Sequence, residues 1–225
     1  TPDLTLFPYT TLFRSLFLLV ILYPIIFIIS ASFSEGSEVQ LGRVYLWPVK
    51  PTLEGYRAVF SHRNIMTGYR NTILYTLGGT LINVVVTVLC AYPLSRRDMP
   101  IRGFFVFLFV FTMFFGGGLI PTYLLVNSLG MVNTFWALLI PGAMSVYNMI
   151  ITRTFFQNGV PHELLEASQI DGCSDARYFF SILLPLSQAV ISVISLYYAV
   201  AHWNSYFSAL IYIRDKQLQP LQLIL

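Results

Sequence analysis

The chain has 225 residues, of which 56% are apolar and 10% are charged, and its formal net charge is +3. Soluble globular domains carry about 25% charged residues, so this composition excludes an ordinary soluble domain. The 13 basic residues are scattered and form no basic stripe, which argues against nucleic-acid binding. Cys90 and Cys173 have neither a CxxC spacing nor a histidine-rich neighbourhood, so we expect no metal or redox site.

Residues 1–15 begin without an initiator methionine and match neither a helical pattern nor a signal peptide. We predict that this segment is non-native or unstructured; the alternative is a genuine cytoplasmic tail. The last residues, PLQLIL, are typical of the approach to another element. We therefore expect the sequence to be a fragment at both ends.

Five apolar segments approach the ~20 residues that a helix needs to cross a bilayer. In chain order they cover residues 16–33, 72–94, 103–126, 134–156 and 179–201. Several contain proline or glycine, which membrane helices tolerate because neighbouring helices satisfy the freed backbone groups. The predicted fold is an all-α polytopic membrane protein with five transmembrane helices in this fragment, the second capped by Asn71 or Thr72.

Two loops between the spans concentrate positive charge, which marks the cytoplasmic side of a membrane protein. Arg96, Arg97 and Arg102 flank the loop at 95–102, and Arg153, His162 and Arg177 surround the loop at 157–178. We predict that both loops lie on one side, with the N-terminus in the cytoplasm. The loop at 34–71 carries five basic residues and works against this orientation, although it otherwise predicts a partly ordered extracytoplasmic cap.

The loop at 157–178 is polar although it lies between two strongly apolar segments. Pro161 fits the first position of a helix, and Asp171-Gly172 predicts its end because glycine adopts the left-handed conformation of a helix stop. Ser174 predicts the cap of a following helix. The pattern therefore predicts a helix–turn–helix elbow at the membrane surface.

The first helix of this elbow predicts a docking surface. Glu163 and Glu166 lie three residues apart and form an acidic edge. Ala167 and Ser168 beside them are small, so another protein could approach the backbone closely. The alternative is a loop that only connects two spans, but the complete spacing E-A-x₄-G-x₉-I-x-L-P favours docking.

This spacing resembles the EAA loop of ABC importer permeases, specifically the smaller permease of the maltose-type carbohydrate importers. The resemblance covers roughly residues 16–225 and includes GLIPTY at 118–123, LGMVNT at 129–134 and WNSYFSALIY at 203–212. It implies a transmembrane domain over 16–225 that is truncated before a sixth helix. It also implies a cytoplasmic coupling elbow at 161–178, and this location is the reason for the predicted orientation in the membrane. Ser168 and Cys173 depart mildly from the pattern, since alanine is usual at both positions.

The resemblance also implies function and partners. It implies an ATP-driven importer of a sugar or oligosaccharide in the bacterial inner membrane, with a separate ATP-binding subunit, a second permease subunit and an extracytoplasmic solute-binding protein. The expected contacts to the ATP-binding subunit are Glu163, Glu166, Ala167, Ser168, Asp171 and Gly172. We predict no catalytic residues and no cofactor, because the chain has no GxxxxGK[ST] loop and no Ser/His/Asp set.

Two other functions remain open at this stage. A secondary transporter would need a charged residue near the membrane centre, and the five segments have no acid or lysine there. A non-transporting membrane scaffold would account for the spans but not for the elbow.

Candidates for a solute path are Asn83, Gly117, Tyr147 and Asn148. The glycines at 116–118 predict either a broken helix beside the path or close helix packing. The polar side chains either line the path or form hydrogen bonds between helices.

Overall fold

The computed structural model describes residues 6–225, with side chains from residue 11 onwards. The secondary structure of these residues consists of helices joined by turns and loops. Their one strand-like pairing is an isolated bridge between Ser34 and Pro51. The all-α prediction is confirmed. The chain divides into two compact units, one ending at Arg63 and the other covering Asn64–Leu225.

The first unit contains helices α1 (Leu6–Ser32), α2 (Gly36–Gln40) and α3 (Glu54–Ser61). Helix α1 includes residues 6–15, which the sequence pattern predicted to be non-native or unstructured. This run leads directly into an apolar segment, and the helix extends back through it. Residues 1–5 of that prediction lie outside the described residues. The segment after α1 folds into a cap built from α2, α3 and the turns between them, but residues 63–71 of the predicted loop belong to the next long helix.

The second unit begins with α4 (Arg63–Ser95), which starts earlier than predicted. Asn71 and Thr72 are buried inside this helix and do not cap it. The Asn71 side chain donates to the carbonyl oxygens of Gln217 and Gln219 at 2.6 and 3.0 Å, and Thr72 Oγ1 accepts from the Leu221 amide at 2.8 Å. These polar residues therefore anchor the end of the chain, a role that only tertiary structure reveals.

The remaining helices are short or bent. In chain order they are α5 (Arg102–Phe114), α6 (Leu119–Ser128), α7 (Trp136–Leu139), α8 (Val146–Asn158), α9 (His162–Ile170), α10 (Asp175–Tyr178), α11 (Leu184–Leu186), α12 (Gln188–Trp203), α13 (Phe207–Tyr212) and α14 (Leu221–Ile224). A π-helical turn (Phe179–Leu183) precedes α11, and a 3₁₀ turn (Lys216–Leu218) precedes α14.

By length and composition, residues 6–225 contain two helices able to cross a membrane, or up to four if each bent pair is one span. The clear spans are α1, over residues 11–32, and α4, whereas α5–α6 bends by 111° and the pair formed by residues 175–186 and α12 bends by 78°. The five predicted spans exceed this count. The segment at 134–156 contains Pro141-Gly142 and forms α7 and α8, and the 13 residues of α8 extend only about 20 Å.

Two apolar clusters form the core of the second unit at different levels of α4. One includes Val88, Ala91 and Leu94 of α4 with Met149 and Phe156 of α8. The other includes Tyr75 of α4, α7 residues Ala137, Leu138 and Leu139, and α13 residues Ala209 and Tyr212. The segment at 134–158 therefore runs along α4 as two short helices.

Candidate functional site

Helix α9 presents two opposite faces, as the burial of its side chains shows. Leu165 and Ser168, three residues apart, are buried against the rest of the unit. The opposite stripe is exposed and comprises Glu163, Glu166, Ala167 and Ile170. These positions follow the i, i+3, i+4, i+7 spacing of one helical face. Helix α9 therefore offers solvent a single continuous surface, called here the α9 stripe.

The α9 stripe combines acidic and apolar groups. Glu166 keeps a side chain that is 65% exposed and lies 3.1 Å from the Nδ1 atom of His162, one turn earlier. Ile170 is 86% exposed, so its apolar side chain is available for contact with another protein. The α9 stripe therefore combines an acidic edge with an exposed apolar side chain, and its predicted docking role stays a prediction.

Ser168 lies on the other, buried face of α9. Its side chain is buried, and its hydroxyl donates to the Leu165 carbonyl oxygen at 2.7 Å. Its side chain therefore lies on the face that α9 turns towards the core, outside the α9 stripe, and its predicted contact with the ATP-binding subunit stays a prediction.

Helix α9 ends in a Schellman motif closed by Gly172, which has φ of +70°. The Cys173 amide donates to the Ser168 carbonyl at 2.9 Å, and the Gly172 amide donates to the Gln169 carbonyl at 3.0 Å. The predicted left-handed turn at Asp171-Gly172 is confirmed. Pro161 lies at the N-cap and not at the first helical position. Ser174 caps α10 as predicted, accepting from the Arg177 amide.

Side chains from neighbouring elements satisfy the last carbonyl groups of α4, which have no partner within the helix. Arg153 of α8 donates to the Leu94 carbonyl at 2.9 Å, and Gln157 donates to the Ser95 carbonyl at 3.2 Å. Because α8 leads into the elbow, the loops at 95–102 and 157–178 meet at one end of α4. The two loops therefore lie together, and the side of the membrane that they face stays a prediction.

Arg96 joins these two loops directly. Its guanidinium makes a bidentate pair with Asp98 at 2.9 and 2.7 Å, donates to Asp175 of α10 at 3.0 Å and donates to the Tyr92 hydroxyl at 3.2 Å. The hydrogen bond with Asp98 raises the pKa of Arg96 and lowers the pKa of Asp98 to about 2. The side chain of Arg96 is only 12% exposed, so it is held firmly between α4 and the elbow.

Sequence reasoning missed both Arg96 and Ile170 as site residues. Arg96 entered only as a loop charge, because nothing in the sequence links it to an aspartate 79 residues away. Ile170 had a usable signal, since it is an isolated large apolar residue between Gln169 and Asp171 in a polar stretch.

The candidates for a solute path lie on different elements. Asn83 of α4 is buried and donates to the Gly142 carbonyl at 3.0 Å. This bond between two elements is one of the two alternatives that the sequence left open for the polar side chains. Its Oδ1 atom is buried without a hydrogen-bond partner in the described part of the chain. Tyr147 is exposed, whereas the adjacent Asn148 is buried near the start of α8.

Gly117 lies in the break between α5 and α6. Gly118 closes this break with φ of +86°, and a Cβ atom built on Gly116 or Gly118 meets nothing within 4 Å. The nearest atom to one on Gly117 is 3.8 Å away. The glycines therefore break the third predicted span, and they do not mediate close packing within residues 6–225.

Comparisons with known proteins agree with the resemblance to ABC importer permeases that the sequence showed. The family described as "binding-protein-dependent transport system inner membrane component" matches residues 65–222. The chain is 43% identical over 213 residues to the polygalacturonan/rhamnogalacturonan transport system permease protein YtcP of Bacillus subtilis (strain 168), covering 95% of this chain and 74% of YtcP. It is 41% identical over 206 residues to protein LplC of the same organism, covering 92% of this chain and 70% of LplC.

A solved structure is also similar over the whole chain. It is described as a bacterial ABC transporter involved in the import of the acidic polysaccharide alginate. The TM-score is 0.92 at 33% identity, and the match covers 100% of this chain and 80% of the matched one.

Proposed function

The chain belongs to the family of binding-protein-dependent transport system inner membrane components, and on that premise we propose that it is the transmembrane permease subunit of an ATP-driven importer of a sugar or oligosaccharide. The subunit binds and conducts the solute but performs no chemical step on it. The observation that carries the coupling part of this proposal is the α9 stripe, an exposed docking surface on a capped helix that interrupts the membrane segments.

The proposed coupling passes from the α9 stripe into the helices. The ATP-binding subunit contacts Glu163, Glu166, Ala167 and Ile170, while Asp171 and Gly172 set the end of the docking helix. Leu165 packs α9 on the core, the Schellman turn fixes the end of α9, and the Arg96–Asp175 pair ties α10 to the end of α4. Closure of the ATP-binding subunits would therefore move the elbow and the attached helices as one body.

The proposed assembly contains a separate ATP-binding subunit, a second permease subunit and an extracytoplasmic solute-binding protein. The subunit is multi-pass in the bacterial inner membrane, and its elbow faces the cytoplasm together with the N-terminus. The break at Gly116–Gly118 and the polar residues Asn83, Tyr147 and Asn148 are proposed to border the solute path.

The names of YtcP and of the similar solved transporter point to acidic oligosaccharides as the first solutes to test. YtcP is named for polygalacturonan and rhamnogalacturonan, and the similar solved transporter imports alginate. Both classes contain uronic acid units, whose carboxylates distinguish them from neutral sugars. We therefore infer a uronate-containing oligosaccharide as the solute.

Reconstituted vesicles test this function. The full transporter is assembled with its ATP-binding subunit, second permease and binding protein. It should take up labelled oligogalacturonate only when hydrolysable ATP is present on the side of the membrane where the ATP-binding subunit lies. A neutral oligosaccharide of equal length serves as the control for the solute class. Uptake that follows an ion gradient without ATP would favour the secondary-transporter alternative and contradict the proposal.

A further inference from the structure

The cap that follows α1 is organised around one buried carboxylate. The Glu38 side chain is 6% exposed and lies 2.7 Å from Lys50 Nζ and 3.3 Å from Arg43 Nη1. The hydrogen bond from Lys50 lowers the pKa of Glu38 and raises the pKa of Lys50. Both cationic side chains are about two-thirds exposed, at 63% and 65%, so they still present charge to their surroundings.

Hydrogen bonds attach the cap to the last turn of α1. Ser30 Oγ donates to the Leu46 carbonyl at 2.6 Å, and Ser34 Oγ accepts from the Val49 amide at 3.0 Å. Ser30 lies two residues before the end of α1, a distance of about 3 Å along the helix axis. Leu46 and its neighbours in sequence therefore stand level with the last turn of the membrane-crossing helix.

The side chains displayed at this level are large and apolar or aromatic. Leu41, Tyr45 and Leu46 are exposed, and Trp47 is 82% exposed. Tyrosine and tryptophan prefer the membrane–water interface, where the ring contacts acyl chains and the polar group reaches water. None of the 18-residue apolar window of α1 is buried in the described structure, so this window is available to contact lipid. The exposed side chains of the cap continue this apolar surface.

We propose that residues 41–47 form a membrane-interface anchor in the leaflet where α1 ends. Tyr45, Leu46 and Trp47 insert among the lipid headgroups, and Arg43 and Lys50 face the lipid phosphates, with which their charge is complementary. The Glu38 pairs and the bonds to Ser30 and Ser34 hold the cap in place. The anchor fixes the depth of α1 in the bilayer, and it does not depend on which solute the subunit transports.

Fluorescence quenching by brominated lipids tests this anchor. The complete transporter is reconstituted in vesicles whose lipids carry bromine either near the glycerol end or near the methyl end of the acyl chains. The signal of Trp47 is the difference between the native subunit and the Trp47→Phe variant. That variant alters only an exposed side chain and keeps an aromatic ring, so folding and assembly should be unchanged.

The proposal expects the Trp47 signal to lose more intensity with bromine near the glycerol end than with bromine near the methyl end. A signal insensitive to both lipids would overturn it, because Trp47 would then face water. Stronger quenching by the deeper bromine would also overturn it. If the signal ignores both lipids but shifts when the solute-binding protein is added, the surface docks a protein and the lipid proposal is wrong.

Discussion

Replacing Gly172 by valine tests whether the turn that ends α9 is required for docking of the ATP-binding subunit. Gly172 has φ of +70°, a conformation that a β-branched residue strongly disfavours. A Cβ atom built there meets no atom within 4 Å. The substitution therefore acts on the backbone conformation and not on neighbouring side chains.

The expected cost follows from that conformation. The left-handed region costs an L-residue about 1–2 kcal/mol relative to glycine, which corresponds to a factor of roughly 5–30 in a folding equilibrium. The amides of Gly172 and Cys173 make the two hydrogen bonds that close α9. We therefore expect hydrogen exchange at these amides to speed up by roughly 5–30-fold in the Gly172→Val variant.

The functional assay is retention of the ATP-binding subunit during purification of the complex. Gly172→Val should reduce retention while the level of the subunit in the membrane stays near normal. Gly172→Asn should be milder, because asparagine tolerates the left-handed conformation. A Gly172→Val complex with unchanged amide exchange and full retention would refute the structural and functional reasoning together.

Gly130 offers a matched control within the same chain. It has φ of +68° and closes α6 with the same pair of bonds, from the Gly130 amide to Asn127 and from the Met131 amide to Val126. Met131 packs against the apolar cluster that includes Tyr75, far along α4 from the elbow. Gly130→Val should therefore carry a similar local cost but leave the ATP-binding subunit bound.

Three further predictions concern the elbow and the end of α4. Glu166→Lys should abolish uptake at a normal membrane level, because it reverses an exposed charge on the α9 stripe; normal uptake would contradict the docking role. Asp98 has a pKa of about 2, below its ordinary 3.8, so the stability that it contributes should be complete above about pH 4 and be lost as pH falls through about 2. Arg96→Gln should remove that pH dependence from thermal unfolding and slow uptake, whereas an unchanged profile would show that the pair is unimportant. Cys173 should react with an impermeant maleimide in inside-out vesicles once the ATP-binding subunit is stripped. Labelling of Cys173 from outside intact cells would contradict the proposed orientation.

Local chemistry explains what could be predicted from the sequence. The turn at Gly172 and the cap at Ser174 depend on residues within a few positions of each other, so their identities suffice. The apolar runs and the spacing of the elbow motif likewise indicated an all-α membrane protein and the permease family. The contacts of individual elbow residues with the ATP-binding subunit stay predictions.

Tertiary contacts explain what could not be predicted. Thr72 resembles a helix cap by type, but α4 begins nine residues earlier and the Thr72 hydroxyl instead accepts from the Leu221 amide. Ser168 resembles an exposed small residue but faces the core, because the direction of the buried face of α9 depends on where the helix packs. Arg96 and Asp175 meet only after α4 and the elbow have been brought together.

Site-specific photo-cross-linking at Ile170 tests the central claim most directly. Ile170 is 86% exposed on the α9 stripe, so a photoreactive amino acid should be accommodated there without repacking. Leu129, which is 61% exposed at the end of α6, serves as the control position. In the complete transporter, the probe at position 170 should cross-link to the ATP-binding subunit and the probe at position 129 should not. Absence of that product at position 170, or an equal yield at position 129, would contradict coupling through the elbow.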